Sequence, residues 1–309
     1  MKTIVRKRYY GSLSICIQFI TLYCLFFNSN HSIGQELKVE TLIKNFTANG
    51  AVSVDREGMI YVSEYGKYVN TGGNGSRVFK INPQGKILDT IAGLSGPMGT
   101  AIDSKGNLYI NNNNNTVRGE ILRISKSGVR EVVATIDGWP SSMTIDAEDN
   151  LYISNYTAPT VHKITPDGQV ILLVNDKRLT GGVGIDLDSK GNIIVSNFVT
   201  ADIYTITPDG EVSFITNIPN IIVQNFGIGY ITVIEDVIYA TGIAVNYIFK
   251  VSMEGEIEIL AGNGQAKQVD GSLKEASFSN PNGISSNKQK KILYISEYSG
   301  MGGLRTIKL

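Results

Sequence analysis

One pattern recurs six times along the chain and constrains its fold more than any other feature. Each unit holds an apolar run, an acidic turn with Gly or Asn, a strand of apolar and aromatic residues, another strand, a Gly turn and a last strand. The equivalent positions of the six second strands are 42 to 55 residues apart, at Tyr61, Tyr109, Tyr152, Ile194, Tyr239 and Tyr294. Units of this length are typical of four-stranded blades. We therefore predict an all-β, six-bladed β-propeller.

Two kinds of turn separate the strands within each unit. The first kind joins strands one and two, and in it an Asp side chain caps the turn while Gly or Asn supplies a positive φ. It occurs at residues 55–58, 103–107, 146–150 and 188–192. The second kind joins strands three and four, and it ends in Gly at 82–85, 125–128, 165–168, 207–210 and 252–255. Turns at these intervals favour a series of antiparallel hairpins.

The sixth unit ends after its third strand, whereas residues 37–43 read like the fourth strands of the other units. We therefore expect the N-terminal strand to pair into the last blade and close the ring, which leaves only short outer edges. A two-sheet sandwich and an open solenoid also contain many short strands. The blade-length period and the divided last unit disfavour both, so we predict one propeller domain over residues 35–309.

The first residues have the pattern of an export signal. Lys2, Arg6, Lys7 and Arg8 precede an apolar run at 13–27, and Gly34 is a small residue suited to cleavage. We predict a signal peptide over 1–34 and a secreted or periplasmic protein. An uncleaved anchor is the alternative, but the run is shorter than the roughly 20 apolar residues of a membrane span. We therefore expect no span after cleavage.

Charge and cysteine content exclude several functions for residues 35–309. This part holds 24 Lys and Arg against 28 Asp and Glu, a formal charge of −4. Without a basic run it lacks the electrostatic signature of a nucleic-acid-binding protein. Cys16 and Cys24, the two cysteines of the chain, both lie in the predicted signal. We expect a monomer without disulfides or thiolate chemistry.

The last unit carries a more specific pattern. Its Ala-Gly-Asn-Gly at 261–264, Asp270-Gly271, Phe278 and Pro281, followed by strands at 293–295 and 304–307, resemble the NHL repeat. The Pro-Asp-Gly turns of other units resemble those of streptogramin lyases and of the senescence-marker-protein/gluconolactonase group. Together the resemblance covers essentially all of residues 35–309. It implies a propeller, but these families include lactonases, lyases and binding platforms, so it names no reaction.

A set of polar residues stands where the six second strands end. Five of the six carry a side-chain oxygen, at Glu64, Asn112, Asn155, Asn197, Gly242 and Glu297. If these residues face the mouth of the central channel, their oxygens suit a hard cation such as calcium or magnesium, or a polyol. The alternative is that Asn and acidic residues stand there because they accept turn conformations.

Strand alternation turns small and polar residues of the first strands into the channel, which we expect to be hydrated, and Asp186 is the one charge among them. The gluconolactonase resemblance implies one divalent cation at the entrances of the first strands, Gly50, Met98, Ser141, Val183, Phe226 and Asn282. Only Asn282 offers a ligand there. The candidate ligands for one calcium or magnesium ion are therefore Glu64, Glu297, Asn282 and Asp186.

A catalytic histidine is poorly supported. Streptogramin lyases employ a His base, and His162 is the one histidine of residues 35–309. Other units place Phe79, Leu122, Tyr204 and Phe249 at its position. We therefore expect His162 to pack rather than to catalyse.

Two functions remain open. The first is an exported propeller that binds a small molecule, glycan or peptide on its rim without a recognisable catalytic triad. In it, Trp139 and Tyr156 would stack on the ligand and Asn112, Asn155 and Asn197 would contact it. The alternative is a metal-dependent hydrolase, lactonase or lyase acting on a cyclic ester or sugar-derived substrate, with the four candidate cation ligands at its centre.

Overall fold

The structure is a computed structural model, and it describes residues 37–69, 72–114, 117–298 and 302–309. The predicted signal peptide lies outside the described residues. Across those ranges, no helix is long and apolar enough to cross a membrane. The regular structure of the described residues consists of strands and one short 3-10 helix at Lys177–Leu179.

The described strands are numbered in chain order. The first eleven are β1 (Lys38–Ile43), β2 (Val52–Val54), β3 (Ile60–Ser63), β4 (Tyr68–Val69), β5 (Gly72–Gly73), β6 (Val78–Ile81), β7 (Ile87–Ile91), β8 (Thr100–Ile102), β9 (Leu108–Asn112), β10 (Arg118–Ile124) and β11 (Arg130–Asp137). The next eight are β12 (Pro140–Ile145), β13 (Leu151–Asn155), β14 (Thr160–Ile164), β15 (Val170–Asn175), β16 (Gly182–Leu187), β17 (Ile193–Asn197), β18 (Asp202–Ile206) and β19 (Val212–Asn217). The last eight are β20 (Ile228–Ile234), β21 (Val237–Gly242), β22 (Tyr247–Ser252), β23 (Ile257–Ala261), β24 (Gly271–Ser272), β25 (Pro281–Asn287), β26 (Ile292–Glu297) and β27 (Leu304–Lys308).

Six antiparallel sheets form the blades of a propeller, as predicted. Blades 1 to 5 have the strand orders β2-β3-β6-β7, β8-β9-β10-β11, β12-β13-β14-β15, β16-β17-β18-β19 and β20-β21-β22-β23. Blade 6 has the order β25-β26-β27-β1, with the two-residue strand β24 added at its outer edge. The small hairpin β4-β5 is inserted in blade 1 between its second and third strands.

The ring closes through the N-terminal strand, which confirms the second part of the prediction. Strand β1 pairs antiparallel with β27, so that Val39 lies opposite Ile307 and Glu40 opposite Thr306. Val39 is fully buried. The first strands of neighbouring blades contact one another in a complete circle, β2-β8-β12-β16-β20-β25 and back to β2.

The acidic turns show why the repeat needs its Asp. In blades 1 to 4 one carboxylate oxygen of this Asp accepts the backbone N–H groups two and four residues later, at 2.8–3.0 Å. The four residues are Asp55, Asp103, Asp146 and Asp188. These bonds complete the turn before the second strand begins, and so set the register of the hairpin.

Neighbouring blades are joined by buried apolar side chains and by a repeated hydrogen bond. In blades 3, 5 and 6 a hydroxyl-bearing residue near the end of the second strand reaches the first strand of the next blade. The hydroxyls of Ser154, Thr241 and Ser296 donate to the carbonyl oxygens of Val183, Asn282 and Gly50, at 2.6–2.7 Å. Because the acceptors stand where first strands begin, these bonds fix the shape of that end of the channel.

Candidate functional site

A cavity of about 440 Å³ opens where the second strands end and the first strands begin. We call this end of the channel the rim and the space the rim cavity. Its described lining residues are Gly50, Tyr65, Tyr68, Met98, Trp139, Tyr156, Val183, Phe198, Gln224, Asn225, Phe226, Tyr230, Ile243, Asn282 and Tyr298. None of these residues is an acid, a histidine, a cysteine, a lysine or an arginine.

In five of the six blades the residue at one position of the repeat lines the rim cavity. Each follows directly after the polar set at the ends of the second strands. These residues are Tyr65, Tyr156, Phe198, Ile243 and Tyr298, after Glu64, Asn155, Asn197, Gly242 and Glu297. The sequence already carried this signal, since four of the five are aromatic at one repeat position. Tyr156 was expected from the sequence to stack on a ligand, whereas Ile243 and Tyr298 were not predicted to line the rim.

Six aromatic rings form a continuous belt around the rim cavity. In order they are Tyr68, Trp139, Tyr156, Phe198, Phe226 and Tyr298, with successive ring centroids 5.7–6.1 Å apart. Tyr68 stacks on Trp139 with 21° between the rings, and the next three contacts are edge-to-face. Such contacts hold the rings in fixed orientations, so the belt is a rigid apolar wall.

Trp139 is fixed at both its backbone and its indole. Its backbone N–H donates to Oδ1 of Asn155 at 2.8 Å, and its carbonyl accepts the N–H of Tyr156 at 2.8 Å. The indole Nε1 donates to Sδ of Met98 at 2.9 Å. Trp139 and Tyr156, both expected to stack on a ligand, therefore line the cavity in positions that the backbone determines.

Tyrosine phenols converge at one side of the cavity. Burial raises the pKa of Tyr65 well above its usual range, and the phenols of Tyr298, Tyr68 and Tyr156 raise it further. Burial likewise raises the pKa of Tyr298. These phenols therefore stay protonated at neutral pH, where they can donate and accept hydrogen bonds but carry no charge.

The three predicted asparagines bond to the backbone of neighbouring connections. Asn155 accepts the N–H groups of Trp139 and Ala158, and Asn197 accepts that of Val199 at 2.9 Å while donating to Thr180. Asn112 accepts the N–H of Ser95 at 2.9 Å. Asn155 and Asn197 thereby position Tyr156 and Phe198, and none of the three lines the described rim cavity.

The two predicted glutamate ligands form ion pairs. Glu64 accepts two hydrogen bonds from the Arg77 guanidinium, at 2.5 and 2.9 Å, and these hold the pKa of its carboxyl below the usual value. Glu297 is fully buried and accepts from Arg305 at 3.0 Å, from Gln268 at 2.6 Å, and from two backbone N–H groups.

The other two candidate cation ligands lie apart. Asn282 lines the rim cavity and donates to the carbonyl of Asn49 at 2.6 Å. Asp186 lines a second cavity, of about 340 Å³, at the opposite end of the channel, which we call the lower cavity. There it accepts hydrogen bonds from Thr144, Leu187, Thr232, Val233 and Lys288, at 2.7–3.1 Å.

The described residues contain no group of three or more His, Cys, Asp or Glu side chains placed to hold a metal ion. At the first-strand entrances, Met98 and Val183 present apolar side chains to the cavity. In blade 5 strand pairing puts Gly229 rather than Phe226 at this entrance. The calcium or magnesium site stays a prediction.

His162 lies among packing positions, and burial lowers its pKa.

Tyr230 is a lining residue that was not predicted from the sequence. It stands in the first strand of blade 5 and is buried. Hydroxyl-bearing residues such as Ser53, Thr100 and Thr144 are among those that line the lower cavity, and Tyr230 lines both cavities.

No protein-family model and no curated protein matches this chain. Solved structures do match. An auxiliary nutrient binding protein from Bacteroides thetaiotaomicron has a TM-score of 0.72 at 15% identity, with 88% of this chain and 76% of that chain covered. A gluconolactonase from Xanthomonas campestris has a TM-score of 0.63 at 11% identity, with 88% and 90% covered.

A catalytically inactive virginiamycin B lyase from Staphylococcus aureus, solved with quinupristin, has a TM-score of 0.61 at 16% identity, with 89% of this chain and 100% of that chain covered. At these identities the likeness concerns the fold. It confirms the resemblance to gluconolactonase-like and streptogramin-lyase-like propellers, while the NHL repeat stays a prediction. This chain is thus similar in architecture to binding proteins, a lactonase and a lyase alike, and its function has to be argued from the rim cavity.

Proposed function

We propose that the protein binds an uncharged, ring-bearing small molecule in the rim cavity and does not transform it. The observation that carries this proposal is the lining: a belt of six aromatic rings, neutral phenols, and no charged side chain among the described lining residues. An apolar cavity with a few convergent polar groups is the usual form of a small-molecule site.

The size of the cavity favours a small molecule over a long glycan or a peptide. Its volume of about 440 Å³ falls in the usual range of ligand pockets, about 300–1,000 Å³. Aromatic faces at fixed angles can stack on a planar ring or on the apolar face of a sugar. The phenols and the Asn282 amide supply the few hydrogen bonds that orient such a ligand.

The alternative, a metal-dependent hydrolase, lactonase or lyase, has less support. The titratable groups of the described lining are phenols, and the pKa values of Tyr65 and Tyr298 are raised, which makes them poor general bases at neutral pH. Glu64 and Glu297 are paired with arginines, and Asp186 lies at the other end of the channel. The likeness to nutrient binding proteins also favours binding.

The single tryptophan of the chain provides the test, because Trp139 lines the cavity. Its fluorescence is to be titrated with a panel of uncharged phenols, nucleosides and monosaccharides. We expect at least one compound class to change the emission saturably. Tyr156→Ala should weaken that binding about tenfold, the loss of one buried aromatic contact of about 1.4 kcal/mol.

The matched control is Phe214→Ala, which removes an exposed aromatic ring from an outer strand. We expect it to leave the affinity unchanged. The proposal fails if no compound changes the emission, or if Phe214→Ala and Tyr156→Ala weaken binding equally.

Export and monomeric state belong to the same proposal. A predicted signal over residues 1–34 would release a binding protein outside the cytoplasm, where a nutrient or other small molecule is met. Mass spectrometry of the protein recovered from a secreting host should give an N-terminus at Gln35. Light scattering should give the mass of one chain. A retained signal or a stable dimer would contradict this part.

A further inference from the structure

Strand pairing identifies six equivalent positions at one level of the channel, one in the first strand of each blade. The equivalent residues at this level are Ala51, Gly99, Ser142, Gly184, Tyr230 and Gly283. The hydrogen bonds agree, because the backbone N–H groups of Ser142, Tyr230 and Gly283 each donate to the equivalent second-strand hydroxyl of their own blade. Five blades have a small residue at this level, and one has a tyrosine.

The glycines at this level are required by the packing of the blades. A Cβ on Gly184 would lie 2.7 Å from the backbone nitrogen of Ile231, and one on Gly283 would lie 2.1 Å from the carbonyl oxygen of Gly50. Both distances are shorter than real Cβ contacts. Neighbouring first strands are therefore closely packed at this level, and Tyr230 is the one large side chain among the six residues.

Tyr230 is the only described residue that lines both the rim cavity and the lower cavity. It is 5% exposed and belongs to the same buried cluster as Ala51 and Val183, from blades 1 and 4. Burial raises the pKa of Tyr230 well above its usual range, and the Tyr65 phenol of blade 1 raises it further. The ring of Tyr230, from blade 5, therefore belongs to a buried cluster that it shares with blades 1 and 4.

The two cavities differ in chemistry. The described lining of the rim cavity is aromatic and without charge, whereas that of the lower cavity mixes apolar and hydroxyl-bearing residues with charged ones, among them Arg56 and the Asp186–Lys288 ion pair. A ligand that passed this level would have to leave an apolar wall for a charged one. The boundary between the two environments coincides with one side chain.

We propose that Tyr230 is the floor of the rim cavity and determines the greatest length of ligand that the cavity accepts. This inference rests on the proposed function of the rim cavity. It assigns Tyr230 a role in specificity: the belt selects for an uncharged ring, and the floor limits the substituent that the ring can carry toward the channel. Ligands would enter and leave only through the rim.

The test is a homologous series of 4-alkylphenols, measured by calorimetry on the protein and on Tyr230→Ala and Tyr230→Phe. In the protein, affinity should rise about fourfold for each added methylene until the chain reaches the floor, and then stop rising. Tyr230→Ala should move this break to longer chains. Tyr230→Phe, which keeps the ring, should leave it in place.

The outcomes separate the two proposals. Binding with the same break in all three proteins overturns the role of Tyr230 and leaves the rim cavity as a binding site. If no alkylphenol binds to the protein or to Tyr230→Phe, both proposals fail for this ligand class. A crystal structure of Tyr230→Ala gives an independent check: the two cavities should be continuous, and a channel still closed by another side chain overturns the inference.

Discussion

Arg305 occupies a position that other blades fill with packing side chains. Strand pairing makes it equivalent to Phe79, Leu122, His162 and, in blades 4 and 5, to Tyr204 and Phe249. It is fully buried, and its guanidinium bonds to Glu297 at 3.0 Å and to Asp270 at 2.8 Å. Glu297 thus has a buried structural partner, which explains an acidic residue there without a cation.

Removing the guanidinium should cost more than removing one at the surface. Arg305→Met leaves Glu297 buried without its partner, so we expect a loss of about 3–5 kcal/mol in the free energy of unfolding. In Arg123→Met, which breaks an exposed pair with Glu131, the loss should stay below about 1 kcal/mol. Urea denaturation of both variants measures the difference. Similar losses would show that the buried pair has no special role.

Strand β1 contributes to the sixth blade from the far end of the chain. Its Val39 is fully buried in the cluster that includes Ile307 and Leu293, whereas its neighbour Lys38 is exposed. The outer strands of the other blades follow their own third strands directly. Among the six described blades, blade 6 is therefore the one whose outer strand comes from a distant part of the sequence.

Placing a charge inside this pairing should open the ring. Val39→Asp buries an unpaired carboxylate, and we expect it to lower the free energy of unfolding by about 3–5 kcal/mol. Lys38→Asp, one residue away on the exposed face, should change it by less than about 0.5 kcal/mol. Thermal and urea unfolding of the two variants decide this. Equal effects would mean that β1 only covers the blade.

The predictable part of the structure is the part that repeats. Turn chemistry and strand alternation act locally, so the roles of Asp103 and Gly128 in their turns could be predicted from the few residues next to them in the sequence. The lining of the rim cavity depends on which residue at the end of a strand faces the channel. The hydrogen bonds of Asn155 to the backbone show that Tyr156, and not Asn155, lines the cavity. Tyr230 was missed because the sequence placed the entrance of the first strand of blade 5 at Phe226, whereas strand pairing puts it three residues later, at Gly229.

The closed ring brings the two ends of the folded chain together. Val39 lies opposite Ile307, so residues 37 and 309 are neighbours across one pair of strands. The blades themselves are joined in the same way all around the circle. The same contacts would therefore permit the chain ends to lie in a blade other than blade 6.

A circular permutant of residues 37–309 should therefore fold. Joining 309 to 37 through a short Gly-Ser linker and opening the exposed turn at 125–128 moves the divided blade to blade 2. We expect an unchanged circular dichroism spectrum and a single unfolding transition. Opening the chain between Ile153 and Ser154, inside the buried strand β13, should prevent folding. If the first permutant is unfolded, closure requires its natural position.

Adjacent positions in the repeat divide two tasks between them. One residue, such as Asn155 or Asn197, holds the backbone of the rim, and the next, Tyr156 or Phe198, faces the cavity. Under the proposed function, a single codon change at the second position would alter the ligand that is bound, while the first position preserves the scaffold. Such a gene would acquire new ligands one blade at a time, through intermediates that all fold.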